Sequence, residues 1–153
     1  MSMAVLPDHK GLQVAAAGDR IKVLLVPVAD VCRYREQRGD DVAIFDVRPR
    51  EAAALAFVIS MAPGGINIES SAFSIKELSL DEAGVAIQIV AAVLAGRLRQ
   101  VRQIKHNGRT RAMKTYVFDA EGQLVFKNRK SGGMLFLAGR AVRSERVRFA
   151  AYR

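Results

Sequence analysis

Lys114, Tyr116 and Phe118 stand at alternate positions, and beyond the break Asp119-Ala120-Glu121-Gly122 come Lys127 and Arg129, again two apart. Side chains alternate across an extended strand, so a spacing of two places residues on one face. A four-residue turn sets Phe118 opposite Gln123, Tyr116 opposite Val125 and Lys114 opposite Lys127, with Arg129 beyond. The face so formed carries flat rings among cations. Its reverse carries Met113, Thr115, Val117, Leu124 and Phe126, a core composition. Unpaired nucleic acid calls for this mixture: exposed bases stack on flat apolar partners, worth about 1–3 kcal/mol each, while phosphates pair with Lys and Arg. Lys105, Arg109, Arg111 and Lys130 add charge nearby. The candidate site is therefore Lys105, Arg109, Arg111, Lys114, Lys127, Arg129 and Lys130 on phosphates, with Tyr116 and Phe118 under bases. The competing reading is ordinary sheet packing of the two rings beneath solvated cations.

Groups for other chemistry are sparse. Cys32 is the one cysteine, which excludes an intrachain disulfide and a thiolate cluster and suits a reducing, cytoplasmic setting. His9 and His106 are the two histidines and lie far apart, so neither zinc spacing nor a His-based triad is present. Cys32 sits beside Arg33 and Arg35, neighbours that lower a thiol pKa, against the simpler reading of a small buried cysteine. Pro63-Gly64-Gly65 lacks the Lys-Ser/Thr that completes a phosphate-binding P-loop. The expectation is a binding protein without catalysis, metal or cofactor.

Charge separates the chain into two parts. Residues 1–96 hold nine Lys and Arg against twelve Asp and Glu, a net of −3, whereas residues 97–153 hold fifteen against three, a net of +12. A solvated surface needs charge but not charge of one sign, and so lopsided a field attracts polyanions. No run of about 18 uncharged apolar residues is present, so no membrane partner is expected. The N-terminal residues lack the basic start and apolar block of a secretory signal.

The elements that must position the site are legible in outline. Residues 1–19 read as a loose arm and 20–153 as one α+β domain. Ile21 to Val28, Val42 to Val47, Ala54 to Met61 and Ile66 to Ile75 read as strands, with Asp30 to Asp41 as a polar connection and Pro63-Gly64-Gly65 as a turn. Ser79 and Glu82 form a capping-box pattern ahead of a helix reaching Leu98. That helix is apolar nearly all round and so packs on two sides. Strands follow at Val101 to Lys105, Ala112 to Phe118, Gln123 to Arg129 and Met134 to Ala138, with an Asn107-Gly108 hairpin signal. Arg140 to Arg153 is ambiguous between helix and strand. The architecture expected is a twisted antiparallel sheet on one long apolar helix, with two sheet-plus-helix units as a variant.

Two resemblances sit on these segments. Val42 to Val47, Ala56 to Ser60, Gly65 to Glu69 and Leu78 to Ala83, leading into the apolar helix, resemble the Whirly and transcriptional positive-cofactor family of single-stranded-DNA-binding proteins. The likeness covers roughly residues 21–98, more weakly 101–129. It implies strand-face binding of single-stranded nucleic acid, DNA before RNA and weakly selective for sequence, and self-association through helices. Asp46-Val47-Arg48-Pro49-Arg50-Glu51, followed by Pro63 to Ile68, resembles the start of a rhodanese domain. No cysteine follows Cys32, so that likeness implies a domain without its nucleophile. A third reading is an adaptor that docks on an acidic protein.

Overall fold

A computed structural model describes residues 9–131 and 141–153, the side chains of 130, 131, 141 and 142 excepted. Helix α1 spans His9–Leu25 and a 3-10 turn follows at Val26–Val28. Five strands come next: β1 Cys32–Arg38, β2 Ala43–Pro49, β3 Phe57–Ala62, β4 Gly65–Ser70 and β5 Ser74–Leu78. Helix α2 spans Ala83–Ala95. Four strands complete the order: β6 Leu98–Lys105, β7 Thr110–Phe118, β8 Leu124–Ser131 and β9 Ala141–Arg148. The first sheet is a meander in the order β1-β2-β3-β4-β5, and the second has the order β8-β7-β6-β9. Every ladder is antiparallel. The α+β class agrees with the sequence reading, but there are two helices and neither is long.

The N-terminal expectation needs correcting. The segment read as arm plus strand is α1, because Val14, Ala17, Ile21 and Leu25 recur at helical spacing and are all buried. The β-branched residues of Ile21 to Val28 suggested a strand; burial of the stripe on β2 and β3 overrides that local preference. The polar connection expected at Asp30 to Asp41 is mostly β1, an edge strand with Arg33 and Arg35 turned to solvent and Glu36 and Arg38 on the α1 side. Arg38 ties it to α1 through Asp19 at 2.7 Å.

Strict alternation builds the first sheet's inner layer. Phe45 and Val47 on β2, Phe57, Ile59 and Met61 on β3, and Ile66 and Ile68 on β4 are buried, and Phe45, Ile59 and Ile68 align across neighbouring strands. The expected strand Ile66 to Ile75 is two strands, because Ser70 Oγ accepts the N–H groups of Ala72 and Phe73 and turns the chain.

Ser79 and Glu82 form the capping box as expected, and a 3-10 turn over Leu80–Glu82 leads into α2. The helix stops at Gly96, with φ 70°, rather than reaching Leu98. A Cβ there would lie 2.6 Å from the Ala151 backbone nitrogen, so the left-handed cap and the close approach both require glycine. Ala86, Ile89, Val90, Ala92, Val93 and Leu94 are buried, and α2 touches α1, β4, β7 and β8. Its apolar surface is consumed by the chain's own core.

Polar bonds stitch the two sheets together. Thr115 Oγ1 donates to the Ala72 carbonyl at 2.7 Å and accepts from Gln100 Nε2 at 3.3 Å, all buried. Ala150 N–H donates to the Ala53 carbonyl at 2.9 Å, and Tyr152 hydroxyl donates to the Leu55 carbonyl. The ambiguous C-terminal stretch contains strand β9, and no helix follows it among the described residues. The strand expected at Met134 to Ala138 lies outside the described residues. No helix among the described residues is long and apolar enough to cross a membrane.

Candidate nucleic-acid interface

The expected hairpin between β7 and β8 is present with a different register. Asp119 N–H donates to the Gln123 carbonyl at 2.9 Å, and Asp119 Oδ1 accepts from the N–H groups of Glu121 and Gln123, so the turn closes one residue later than a four-residue turn would. Gly122, with φ 82°, completes it. A bulge then shifts the ladder: Phe118 opposes Leu124, while Val117 opposes Phe126. Leu124, expected in the core, is therefore beside Phe118 on the outer side and is 52% exposed. Phe126 points inward and meets Phe73, ring centroids 6.2 Å apart.

Beyond the bulge Tyr116 opposes Lys127, and Lys114 opposes Arg129. On the other side Tyr116 opposes Arg99, which opposes Arg148, while Lys114 opposes Val101, which opposes Arg146. Two rows cross the sheet: Lys127, Tyr116, Arg99, Arg148, then Arg129, Lys114, Val101, Arg146. Neighbours within a row are about 4.8 Å apart and the rows are about 6.7 Å apart along the strands. Six of the eight positions are cationic, and none is acidic. The alternate positions Leu98, Gln100, Thr115 and Val117 are buried against the body of the protein, so the two rows form the outward face. Arg99, Lys127, Arg129, Arg146 and Arg148 are exposed; Lys114, Tyr116 and Phe118 are half-buried. Like charges placed directly opposite, as in Lys114 with Arg129 and Arg99 with Arg148, are destabilising until an anion lies between them.

The expected site thus divides. Lys114, Tyr116, Phe118, Lys127 and Arg129 come together on this face. Lys105, Arg109 and Arg111 lie at the far end, around the His106–Arg109 turn, where Lys105 N–H donates to the Arg109 carbonyl at 2.8 Å. A bulge between Gln103 and Ile104 takes Arg111 out of the rows. Lys130 opposes Met113 in the ladder, and its side chain lies outside the described part. The expectation for Phe118 also needs refining. The Arg99 guanidinium lies over its ring, 5.5 Å from the centroid, so one side of Phe118 is already occupied by a cation.

Arg99, Arg146 and Arg148 were not among the expected residues. Arg99 lay just past the expected helix end at Leu98, and Arg146-Val147-Arg148 lay in the ambiguous segment. The alternation of Arg146, Val147 and Arg148 was the available signal.

Elsewhere, Arg33 opposes Arg48 and Arg35 opposes Asp46 on the outer side of β1 and β2, where Arg48 pairs with Asp46 at 3.5 Å. That cluster carries its own carboxylate and lacks an aromatic row. Cys32 is buried, and burial pushes its thiol up against the opposing pull of Arg50, which makes it a packed, unreactive cysteine. Asp46 to Pro49 is the second half of β2, and Pro63-Gly64-Gly65 is the β3–β4 turn. No protein-family model, curated protein or solved structure matches the chain.

Proposed function

We propose that this chain binds single-stranded nucleic acid, without catalysis, across the outer face of the second sheet. The observation that supports this most is the pair of rows: six cations and one aromatic ring at eight adjoining positions, with no carboxylate among them. Phosphates would be held by Lys114, Lys127, Arg129, Arg99, Arg146 and Arg148, and a base would stack on Tyr116. A second base plane is available on the Arg99 guanidinium, whose other side is occupied by Phe118. Lys105, Arg109 and Arg111 would extend the positive field along the same sheet.

A strand face favours unpaired over paired nucleic acid. Duplex readers more often insert a helix into a groove, and here both helices pack into the core. Sequence selectivity is weak, because stacking and phosphate contacts read no base edges. The self-association that the family likeness implies would not use α2, whose large apolar residues are buried or half-buried in this chain's own core. Exposed large apolar residues lie on and just after α1, at Leu12, Val23 and Val26, besides Leu124 at the strand face.

The test is a fluorescence-anisotropy titration over a range of salt, with single-stranded DNA, single-stranded RNA and duplex DNA of equal length. Tight, salt-dependent binding to single strands and weaker binding to duplex is the expected result. Equal or preferred binding to duplex contradicts the stacking role. Binding to none of them, with tight binding to an acidic protein, replaces the proposal with the adaptor reading.

A further inference from the structure

We propose that the cavity at the Gly96 end of the strand face is a subsite for the terminal phosphate of a nucleic-acid strand, a phosphomonoester rather than an internal diester. This rests on the strand-face reading and names the part of the ligand that this end selects. The two ends of the face differ. The far end is the exposed His106–Arg109 turn. At the near end the rows run into a cavity of about 400 Å³, within the range of small-ligand sites. The α2–β6 link closes it on one side and the turn from Asp119 to Gly122 on the other.

Charge points to the monoester. Arg97, Arg99 and Arg148 line the cavity together with one carboxylate, Asp119, for a net of two positive charges. A phosphomonoester carries about −1.5 to −2 at pH 7, whereas an internal diester carries a single charge. Two of the three guanidiniums are oriented in advance. Arg97 Nε donates to the Phe118 carbonyl at 3.1 Å, and the Arg99 guanidinium carbon lies over the Phe118 ring, 5.5 Å from its centroid. Asp119 is held by its own turn through Oδ1. A fixed guanidinium fork matches the oxygens of a phosphate better than a mobile ammonium does. A second cavity of about 350 Å³ shares Arg99, Phe118 and Arg148 and is lined by Tyr116 and Arg146. It provides the path from the stacking face to the terminal pocket, with the last base beside Tyr116 and its phosphate among the arginines.

The experiment compares oligothymidylates of one length that carry a 5′-phosphate, a 3′-phosphate or no terminal phosphate. The readout is the ratio of affinities. Wild-type protein should prefer one phosphorylated end by about tenfold, the effect of one good charge-assisted contact. Arg97→Gln should collapse the ratio towards one. In wild type the preference should also shrink as pH falls from about 7.5 to about 5.5, because the monoester takes up its second proton near pH 6. Equal affinity for all three oligomers overturns the subsite and leaves the strand-face reading intact. A preference that survives Arg97→Gln with its size and pH dependence unchanged also overturns it. If no oligomer binds, the strand-face reading fails and the subsite with it.

Discussion

Tyr116 has a cation opposite it on both neighbouring strands, and Lys114 has one on β8 and Val101 on β6. Lys127 and Arg99 flank Tyr116, while Arg129 flanks Lys114 across one ladder. Such an arrangement weakens the free protein and strengthens a complex. If each cation neutralises one phosphate, removing two should lower the slope of log K against log salt by about 1.4, at roughly 0.7 per contact on a single strand. Lys114→Gln with Arg129→Gln is the variant to measure, and an unchanged slope would exclude both as phosphate ligands. Tyr116→Ala should lose about 1–3 kcal/mol of binding while Tyr116→Phe retains it, since stacking needs the ring and not the hydroxyl. Arg33→Gln with Arg35→Gln, on the first sheet, should leave the slope where it was.

At the level of elements, α1 and the caps of α2 carry the clearest tests. Ile21→Ala should destabilise by about 2–5 kcal/mol in urea denaturation, as a fully buried residue does, whereas a loose arm would lose almost nothing. Leu12→Ser, on the exposed side of the same helix, should stay within about 0.5 kcal/mol. Gly96→Ala should cost more than the roughly 1 kcal/mol expected of Ser79→Ala, because it adds a backbone clash with Ala150 and Ala151 to a left-handed φ. These elements also show what could be read from the residues alone. Ser79, Glu82 and the apolar run announced α2, because capping and periodicity are local. The short apolar runs Val42 to Val47 and Ala54 to Met61 announced strands for the same reason, though not which of their sides packs inward. Helix α1 was not legible, since its stripe includes the small Ala17 and its end runs into the short apolar run Ile21 to Val28, and only packing on β2 and β3 decides the matter. The aromatic-cationic face was legible as a face but not in register. The turn closing on Asp119 shifts the ladder by one residue and the bulge between Val117 and Phe118 by another, which together move Lys127 from Lys114 to Tyr116. Half of the cations in the rows come from β6 and β9, whose pairing is long-range and invisible to a local reading.

The whole molecule joins an inward-facing apolar layer from each sheet to α2, and the C-terminal residues close it. Tyr152 is buried, its N–H donates to the Leu94 carbonyl at 2.9 Å, and its hydroxyl reaches Leu55. Burial first, and the nearby Cys32 second, raise its phenol above the ordinary value of 10. The folded chain therefore holds that proton more tightly than the unfolded chain, and the stabilisation is complete below pH 10 and lost as pH rises beyond it. Cys32, raised from 9.0, acts in the same direction over a slightly lower window. The urea midpoint should be level between about pH 7 and pH 9 and then decline, less steeply in Tyr152→Phe; equal slopes in the two proteins would contradict the assignment.

On the proposed function, a bound single strand should lie across the two rows on β6 to β9. Backbone amide NMR during titration with single-stranded DNA tests it most directly. Shifts should concentrate at Arg99, Val101, Lys114, Tyr116, Lys127, Arg129, Arg146 and Arg148, with β1 to β4 unmoved. Saturable binding whose shifts map to the first sheet or to α1, with those eight positions silent, would contradict it.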